Sequence, residues 1–242
     1  MFHSHAVWFS IVCTAGGAAP LGQIVLLDSF EEYPVLAFPA QWQVRGDKDK
    51  APLIYQVVVD EHGNHFLHAY ADRQAIQIGL AHVFPPREFP LLTWRWRVTQ
   101  LPPGGDARRK ETHDSAAGVY VIFDNRILPR VLKYVWSATV PVGTRLQNPL
   151  YWRARMIVLR SGLADLGKWC QETVNVYQDY RDLFGTEPGL VQGIGLMTSS
   201  SFTKSVAVAD YDDFLLQQPE VLVAPQGPGT AVQGVPATIS LP

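Results

Sequence analysis

The sequence has few charged residues, few cysteines and no long hydrophobic run. Charged residues make up 17% of its 242 residues, and 20 basic against 22 acidic side chains leave a net charge of −2. Nucleic acid, a polyanion, therefore exerts no general attraction on the chain. The apolar run Ala6–Ala15 has about ten residues, whereas a membrane-spanning helix needs about 20. We expect no nucleic-acid partner and no membrane span.

The N-terminal segment resembles an export signal. Residues 1–19 contain no Asp, Glu, Lys or Arg, and the small residues of 16–19 follow the apolar run. This order is typical of a secretory signal peptide, although histidines stand where basic residues are usual. We predict a signal peptide at 1–19 and a periplasmic or secreted mature protein. Its removal would leave Cys170 as the remaining cysteine, so the fold would contain no internal disulfide.

The composition of the remaining chain favours short strands. Hydrophobic residues make up 47% of the sequence, enough for a sizeable core, and 19 glycines and 18 prolines suit strands joined by turns. The C-terminal segment 219–242 holds five prolines, three glycines and a single charged residue, Glu220. We predict that 219–242 is a disordered tail. The intervening residues 20–218 are predicted to form one domain.

Hydrophobic alternation with a period of two recurs throughout this domain, and turn residues such as Pro102–Gly105 separate the alternating segments. One short helix is predicted at Gln178–Phe184, because Gly185 suits its C-terminal end. Strands do not alternate with long helices, so we predict an all-β, jelly-roll-like β-sandwich with one short helix. The predicted strands are Ile24–Phe30, Trp42–Arg45, Leu53–Asp60, His65–Tyr70, Ala75–Leu80, Leu91–Val98, Ala116–Phe123, Val131–Ser137, Arg155–Arg160, Cys170–Val176, Leu190–Met197 and Val206–Leu216.

Alternation also suggests a ligand-binding surface. Trp94 and Trp96 share one face of their strand with other apolar residues, whereas the arginines between and after them share the opposite face. Aromatic rings beside arginine are typical of sugar-binding surfaces, since rings stack on sugars and guanidinium donates to hydroxyls. The same aromatic residues are equally typical of a core, and the arginines of a solvated face. The candidate ligand-binding residues are Arg95, Arg97, Tyr120, Tyr134 and Trp136.

Acidic residues at the two ends of the domain suggest a metal site. Asp212 and Asp213 lie in the last predicted strand, and Asp28 lies in the first. Terminal strands of jelly-roll modules are often neighbours, and Ca²⁺ prefers six to eight oxygen ligands. We therefore predict a structural calcium ion held by Asp28, Asp212 and Asp213. The alternative is that these carboxylates are edge charges or accept hydrogen bonds from loop amides.

No complete catalytic motif is present. The stretch Gly162–Lys168 matches a phosphate-binding loop, but Trp169 stands where Ser or Thr must bind magnesium. His113 and Asp114 follow a charged loop, and we interpret them as loop charges because strand neighbours point apart. Glycoside hydrolysis needs two carboxylates about 5–10 Å apart, which one sequence cannot pair. Whether the protein is an enzyme is left open, with candidate carboxylates at Asp60, Glu172, Asp179 and Asp210.

Several segments in this order resemble a bacterial family, domain of unknown function 3047 (DUF3047). They are Trp94–Arg97, Asp114–Phe123, Tyr134–Ser137, Asp179–Gly185 and Asp212–Phe214. The resemblance covers about residues 24–217 and implies an exported β-sandwich protein without naming a reaction. This chain differs from the family pattern at Gly118, where the pattern has Arg.

Three functions are compatible with the sequence. The first is a carbohydrate-binding module-like protein with a glycan ligand on the aromatic and arginine face. The second is a glycan-active hydrolase or lyase on the same scaffold, in which Tyr120 or Tyr134 would act as base beside Arg95. The third is an envelope interaction protein without a small ligand.

Overall fold

The computed structural model describes residues 22–124 and 127–219. The predicted signal peptide lies outside the described residues, as does the predicted tail beyond Pro219. The strands are β1 (Ile24–Asp28), β2 (Trp42–Arg45), β3 (Tyr55–Val59), β4 (His65–Asp72), β5 (Gln77–Phe84), β6 (Leu91–Gln100), β7 (Ala117–Phe123), β8 (Arg130–Ser137), β9 (Arg145–Gln147), β10 (Ala154–Ser161), β11 (Cys170–Asn175), β12 (Val191–Leu196) and β13 (Val206–Gln217). The helices are α1 (Ala51–Ile54), α2 (Val176–Phe184) and a single 3₁₀ turn (Lys110–Thr112).

The strands form two sheets. Sheet A has the order β11-β6-β13-β4-β3, with β1 also paired to β13. Sheet B has the order β2-β5-β12-β7-β8-β10-β9. Every described pairing is antiparallel except that of β8 with β10. The prediction of an all-β sandwich is confirmed.

Aromatic side chains fill the space between the sheets. Trp94 and Trp96 of β6 are fully buried. Their rings lie 5.7 Å from Tyr134 and 6.0 Å from Trp136, respectively, both on β8. Because side chains alternate across a strand, these residues face the opposite sheet while their neighbours face outward. The inward face predicted for β6 is therefore confirmed.

The strands and the helix predicted from the sequence agree well with those of the structure. Each of the twelve predicted strands corresponds to a strand of the structure. The predicted helix is α2, where the Asn175 side chain accepts a hydrogen bond from the Gln178 amide and Gly185 ends the helix at φ 67°. Such N-terminal caps and left-handed glycines satisfy the backbone groups that a helix leaves free. Among the described elements, the sequence analysis missed β9, α1 and the 3₁₀ turn, each of which has three or four residues.

Residues Gln23–Pro219 form one compact unit. Within the ranges 22–124 and 127–219, no helix has the length and apolar character needed to cross a membrane.

Candidate functional site

Two of the predicted ligand-binding residues lie in the core. Tyr134 and Trp136 are 0% exposed. The Tyr134 hydroxyl donates to Asp179 Oδ2 at 3.0 Å, and the Trp136 ring meets Trp96 between the sheets. The two side chains point the same way, as predicted, but that direction is toward sheet A. Of the two interpretations in the sequence analysis, the geometry agrees with core packing.

The other three predicted residues lie on opposite sides of the sandwich. Arg95 and Arg97 project from β6 on the outer face of sheet A, where they pair with residues of β13. Tyr120 projects from β7 on the outer face of sheet B, where it packs with Val131 and Ala154. The five candidates therefore do not form one surface. The reason is that β6 belongs to one sheet, and β7 and β8 to the other.

Arg95 and Arg97 belong to a network of ion pairs across three strands. Arg97 Nε donates to Asp210 Oδ2 at 2.8 Å, and His68 Nδ1 lies 2.7 Å from Asp210 Oδ1. Arg95 donates to Asp212 at 2.6 Å, and burial raises the pKa of that carboxyl to about 6. The Trp169 ring covers both guanidinium groups, at 5.0 and 4.8 Å from its centroid. Each guanidinium group thus pairs with a carboxylate of β13, which indicates a structural role for this network.

We expect Asp210→Ala to lower the free energy of unfolding by about 2–3 kcal/mol, because it leaves Arg97 and His68 without their carboxylate. Urea denaturation at pH 7 measures the change. Asp72→Ala is the control, since Asp72 lies on neighbouring β4 and its pair with Arg73 is exposed. That variant should differ from the parent by less than about 0.5 kcal/mol. Equal losses in the two variants would contradict a structural role for the network.

The predicted calcium ligands have other partners. β1 and β13 are neighbours, as predicted, with Asp28 opposite Phe214. However, Asp28 accepts hydrogen bonds from Tyr33 and from the Trp42 indole at 2.9 and 2.7 Å, whereas Asp212 and Asp213 both pair with Arg95. Across the described residues, no group of three or more His, Cys, Asp or Glu side chains is arranged to hold a metal ion. The three carboxylates thus accept hydrogen bonds or pair with arginine, in agreement with the alternative given in the sequence analysis, and the structural calcium ion stays a prediction.

A different site lies on the outer face of sheet B. Two adjoining cavities of about 260 and 290 Å³ share Arg45, Gln77 and Ile122 in their walls. We call this depression the sheet B groove. The first cavity lies over β2, β5 and β12, and its further polar residues are Gln43 and Gln192. The second lies over β7 and β8, and the loop 148–151 forms one wall; its further polar residues are His113, Tyr120, Lys133, Asn148 and Tyr151.

Two glycines lie on the strands that form the sheet B groove. Gly193 interrupts the regular register of β12 with both of its neighbours and has a φ of 156°. A Cβ atom there would lie 2.2 Å from the Leu80 carbonyl oxygen, so a larger residue cannot be accommodated. On β7, a Cβ atom at Gly118 would lie 3.2 Å from Lys133 Cε and 3.3 Å from the Tyr120 ring. Glycine is therefore required at position 193 by the close approach of two backbones, and at position 118 a Cβ atom would force the neighbouring side chains to shift.

Lys133 is the most unusual residue of the sheet B groove. It is 1% exposed, yet its side chain forms no hydrogen bond or ion pair with any described residue. Its Nζ lies 5.2 Å from the centroid of the Tyr120 ring. Burial lowers the pKa of Lys133 to about 8, and nearby Asp114 opposes this decrease. The Asp114 carboxylate itself accepts hydrogen bonds from Ser199 and Thr203.

His113 contributes a neutral imidazole to the same cavity. Burial, with a smaller contribution from Lys133, lowers the pKa of His113 to about 4. Its Nδ1 lies 2.9 Å from the Ala107 carbonyl oxygen, so Nδ1 carries the proton and donates it. The other ring nitrogen, Nε2, is consequently an acceptor. The sequence analysis interpreted His113 and Asp114 as loop charges, but both side chains are buried.

Among the described residues, no Asp or Glu lines the sheet B groove. The four candidate carboxylates of the sequence analysis lie elsewhere and have partners. Glu172 pairs with Arg160, Asp179 with Arg145, and Asp210 with Arg97. Asp60 accepts hydrogen bonds from backbone amides of its own turn. The groove therefore offers cations, amides, an imidazole and phenols, without the pair of acids that glycoside hydrolysis uses.

The sequence analysis missed Lys133, Arg45 and Gln77 as site residues. One signal could have identified Lys133. The residues that alternate with the core positions of β8 are Val131, Lys133 and Val135, and a lysine between two valines indicates a covered outer face. Arg45 and Gln77 carry no comparable signal, since isolated polar residues on edge strands are common. Their association depends on the pairing of β2 with β5.

A comparison with solved structures found carbohydrate-binding modules and a cellulase among its matches. The family 11 carbohydrate-binding module of the cellulosomal cellulase Lic26A-Cel5E of Clostridium thermocellum shares 10% identity, with 81% of this chain and 95% of that chain covered and a TM-score of 0.41. CBM28, a module specific for non-crystalline cellulose, shares 12% identity, with 85% and 97% covered and a TM-score of 0.38. A cellulase derived from Cel12A of Rhodothermus marinus shares 13% identity, with 74% and 97% covered and a TM-score of 0.38.

Comparison at the sequence level is more specific. No curated protein matches the chain. A family model described as "Protein of unknown function (DUF3047)" matches residues 40–215, which include every strand of both sheets except β1 and the last residues of β13. The match agrees with the resemblance of the sequence segments given above. The chain belongs to the DUF3047 family.

Proposed function

We propose that the protein is a non-catalytic carbohydrate-binding protein, and that the sheet B groove holds the saccharide. The observation that carries the proposal is the lining of the groove: amides, phenols and an imidazole over a floor with glycine, with no described carboxylate. Saccharides present many hydroxyl groups together with apolar C–H faces. Such a ligand needs side chains that donate and accept hydrogen bonds beside rings that pack against the C–H faces.

Three amides of the groove support this role. Gln43, Gln77 and Gln192 line the first cavity, and each amide offers both a donor and an acceptor. None of the three side chains forms a hydrogen bond with another described residue. Their hydrogen-bonding capacity is therefore available to hydroxyl groups of a ligand. In the second cavity, His113 Nε2 offers a further acceptor.

The absence of an acid pair from the described lining favours binding over hydrolysis. A retaining or inverting glycosidase uses two carboxyl groups on either side of the scissile bond. A lyase with Tyr120 or Tyr134 beside Arg95 is also disfavoured, because Tyr134 is in the core, Tyr120 is on the outer face of sheet B and Arg95 is on sheet A. An interaction protein without a small ligand would not need a groove. Export to the periplasm or beyond, for which residues 1–19 are the basis, stays a prediction.

The proposal is tested by measuring glycan binding with and without the rings of the groove. The wild-type protein is applied to a glycan array, and the saccharides that bind are measured by isothermal titration calorimetry. We expect Tyr151→Ala to weaken binding about tenfold or more, because it removes a ring from the wall of the second cavity.

Tyr70→Ala is the matched control. Tyr70 is 47% exposed on β4 and belongs to sheet A. Its removal should leave binding unchanged. Absence of binding to every glycan on the array would refute the proposal, and a loss of binding only in Tyr70→Ala would assign the site to the other sheet.

A further inference from the structure

The sheet B groove contains two cationic side chains without partners. Arg45 forms no hydrogen bond or ion pair with any described residue, and the same holds for the ammonium of Lys133. Arginines on the other sheet behave differently, since Arg95 and Arg97 each pair with an aspartate. Among the described residues, no Asp or Glu lines either cavity to neutralise these charges. The groove is therefore a positive region on a protein whose net charge is −2.

The position of Lys133 is costly for the fold. A buried ammonium loses its hydration, and a partner usually compensates for that loss. At Lys133 the compensation is incomplete: the Tyr120 ring is 5.2 Å away, and Asp114 is close enough to act on it electrostatically without a salt bridge. Asp114 instead accepts hydrogen bonds from Ser199 and Thr203. An unpaired donor in the wall of a cavity is well placed to bind an anionic group.

We propose that the saccharide held by the sheet B groove is acidic, and that its carboxylate pairs with the Lys133 ammonium. This inference rests on the proposed function and adds the class of ligand, a uronate. Arg45, which lines both cavities, pairs with a second carboxylate or with hydroxyl groups along the same chain. His113 is neutral and accepts a hydroxyl hydrogen through Nε2.

The surroundings favour a carboxylate over a phosphate. A carboxylate carries a single negative charge, which one ammonium neutralises. A phosphate monoester carries more negative charge at neutral pH and usually binds several N–H donors or an arginine fork. The groove provides one buried ammonium, and the Asp114 carboxylate near it would repel the additional charge. Lys133 thus determines specificity for a singly charged acid group.

The test compares each uronate with its own uncharged form. Trimers of galacturonate, glucuronate, mannuronate and guluronate are titrated into the full-length protein, and so are the methyl esters of the same trimers. Esterification removes the charge and preserves the sugar. We expect at least one acid trimer to bind about tenfold or more tightly than its ester in 20 mM buffer, because the charge-assisted bond is lost in the ester.

Two variants show whether Lys133 is responsible. In Lys133→Met the preference for the acid over the ester should fall by about tenfold, because the ammonium that pairs with the carboxylate is absent and only Arg45 can still favour the acid. Lys168→Met removes the same charge at an exposed position of the segment before β11, away from the groove, and should keep the preference for the acid. This comparison separates recognition by Lys133 from a general effect of net charge.

The outcomes are distinct for the two proposals. Equal binding of acid and ester by the wild type, or binding of neutral glycans alone, would overturn the acidic ligand and leave saccharide binding in place. A preference for the acid that is undiminished in Lys133→Met would also overturn the role of Lys133. Absence of binding to the uronates, their esters and neutral glycans alike would overturn both proposals.

Discussion

Replacing Trp136 by alanine is expected to lower the free energy of unfolding by about 3–5 kcal/mol, the usual range for a large aromatic residue removed from a core. Trp136 is 0% exposed and packs against Trp96 at a centroid distance of 6.0 Å. Its indole N–H also faces the Gly162 carbonyl oxygen at 3.4 Å. The void left by the ring would lie between the two sheets. Urea denaturation followed by far-ultraviolet circular dichroism measures the loss.

Trp152 provides the matched control, because it is the same residue type but 65% exposed. Trp152→Ala should change the free energy of unfolding by less than about 0.5 kcal/mol. If Trp136 were instead part of a ligand surface, its substitution would weaken binding at little cost in stability. A Trp136→Ala protein as stable as the parent would contradict its assignment to the core.

The second large effect is a gain in stability. We expect Lys133→Met to raise the free energy of unfolding at pH 7 by about 1–3 kcal/mol, because it replaces an unpaired buried ammonium by an apolar chain of similar length. The gain in stability is smaller than the free energy needed to desolvate the ammonium. The reason is that the substitution also removes the favourable interaction of that ammonium with Asp114. Thermal and urea denaturation of the two proteins measure the difference. Lys168→Met, at an exposed position, should show no comparable gain.

The gain should depend on pH in a defined direction. Burial lowers the pKa of Lys133 from 10.5 in the unfolded chain to about 8 in the fold. Between these values the unfolded state binds more protons, so the stability of the wild type increases with pH. The advantage of Lys133→Met is consequently full below pH 8 and decreases as the pH rises toward 10.5. Two titratable groups that face Lys133 do not reverse this trend: burial lowers the pKa of His113 and raises the pKa of Tyr120, so both are neutral between pH 8 and 10.5.

A stability difference that is zero at pH 7, or that grows between pH 8 and 10.5, would show that the ammonium has a partner in solution. The expected result also bears on function. A residue whose removal stabilises the fold while weakening the binding of an acidic ligand contributes to binding at the expense of stability. Weaker binding of the acid by Lys133→Met could then not be attributed to unfolding.

The strand pattern of this protein could be predicted because burial alternates along each strand. The inward positions of β6 are an example, since Leu92, Trp94 and Trp96 are apolar and the residues between them are not. Alternation determines which residues share a face, but it does not determine which sheet the strand joins. Tyr134 and Trp136 were correctly placed on one face of β8, yet the direction of that face depends on pairing with distant strands.

The sheet B groove could not be predicted for a related reason. Its residues come from strands that are far apart in sequence, such as β2 and β8, and become neighbours through the strand order. The carboxylate partners of Arg95 and Arg97 likewise follow from the register of β6 against β13, with Asp212 opposite Arg95. A periodic pattern excludes register shifts of one residue, but it does not distinguish registers that differ by two residues, nor does it select the partner strand. The sequence shows that both residues are positively charged, but it does not show which carboxylates pair with them.

The pairing of β1 with β13 has a consequence for connectivity. Ile24 lies opposite Gln217, and the Gln218 amide donates to the Gln23 carbonyl oxygen at 3.0 Å. The polypeptide thus enters and leaves the described sandwich at adjacent points. A short linker could join these points, and new termini could be opened in an exposed hairpin turn such as the one around Gly63, between β3 and β4. Circular permutation at that turn would retain both sheets and leave the groove on the far side undisturbed.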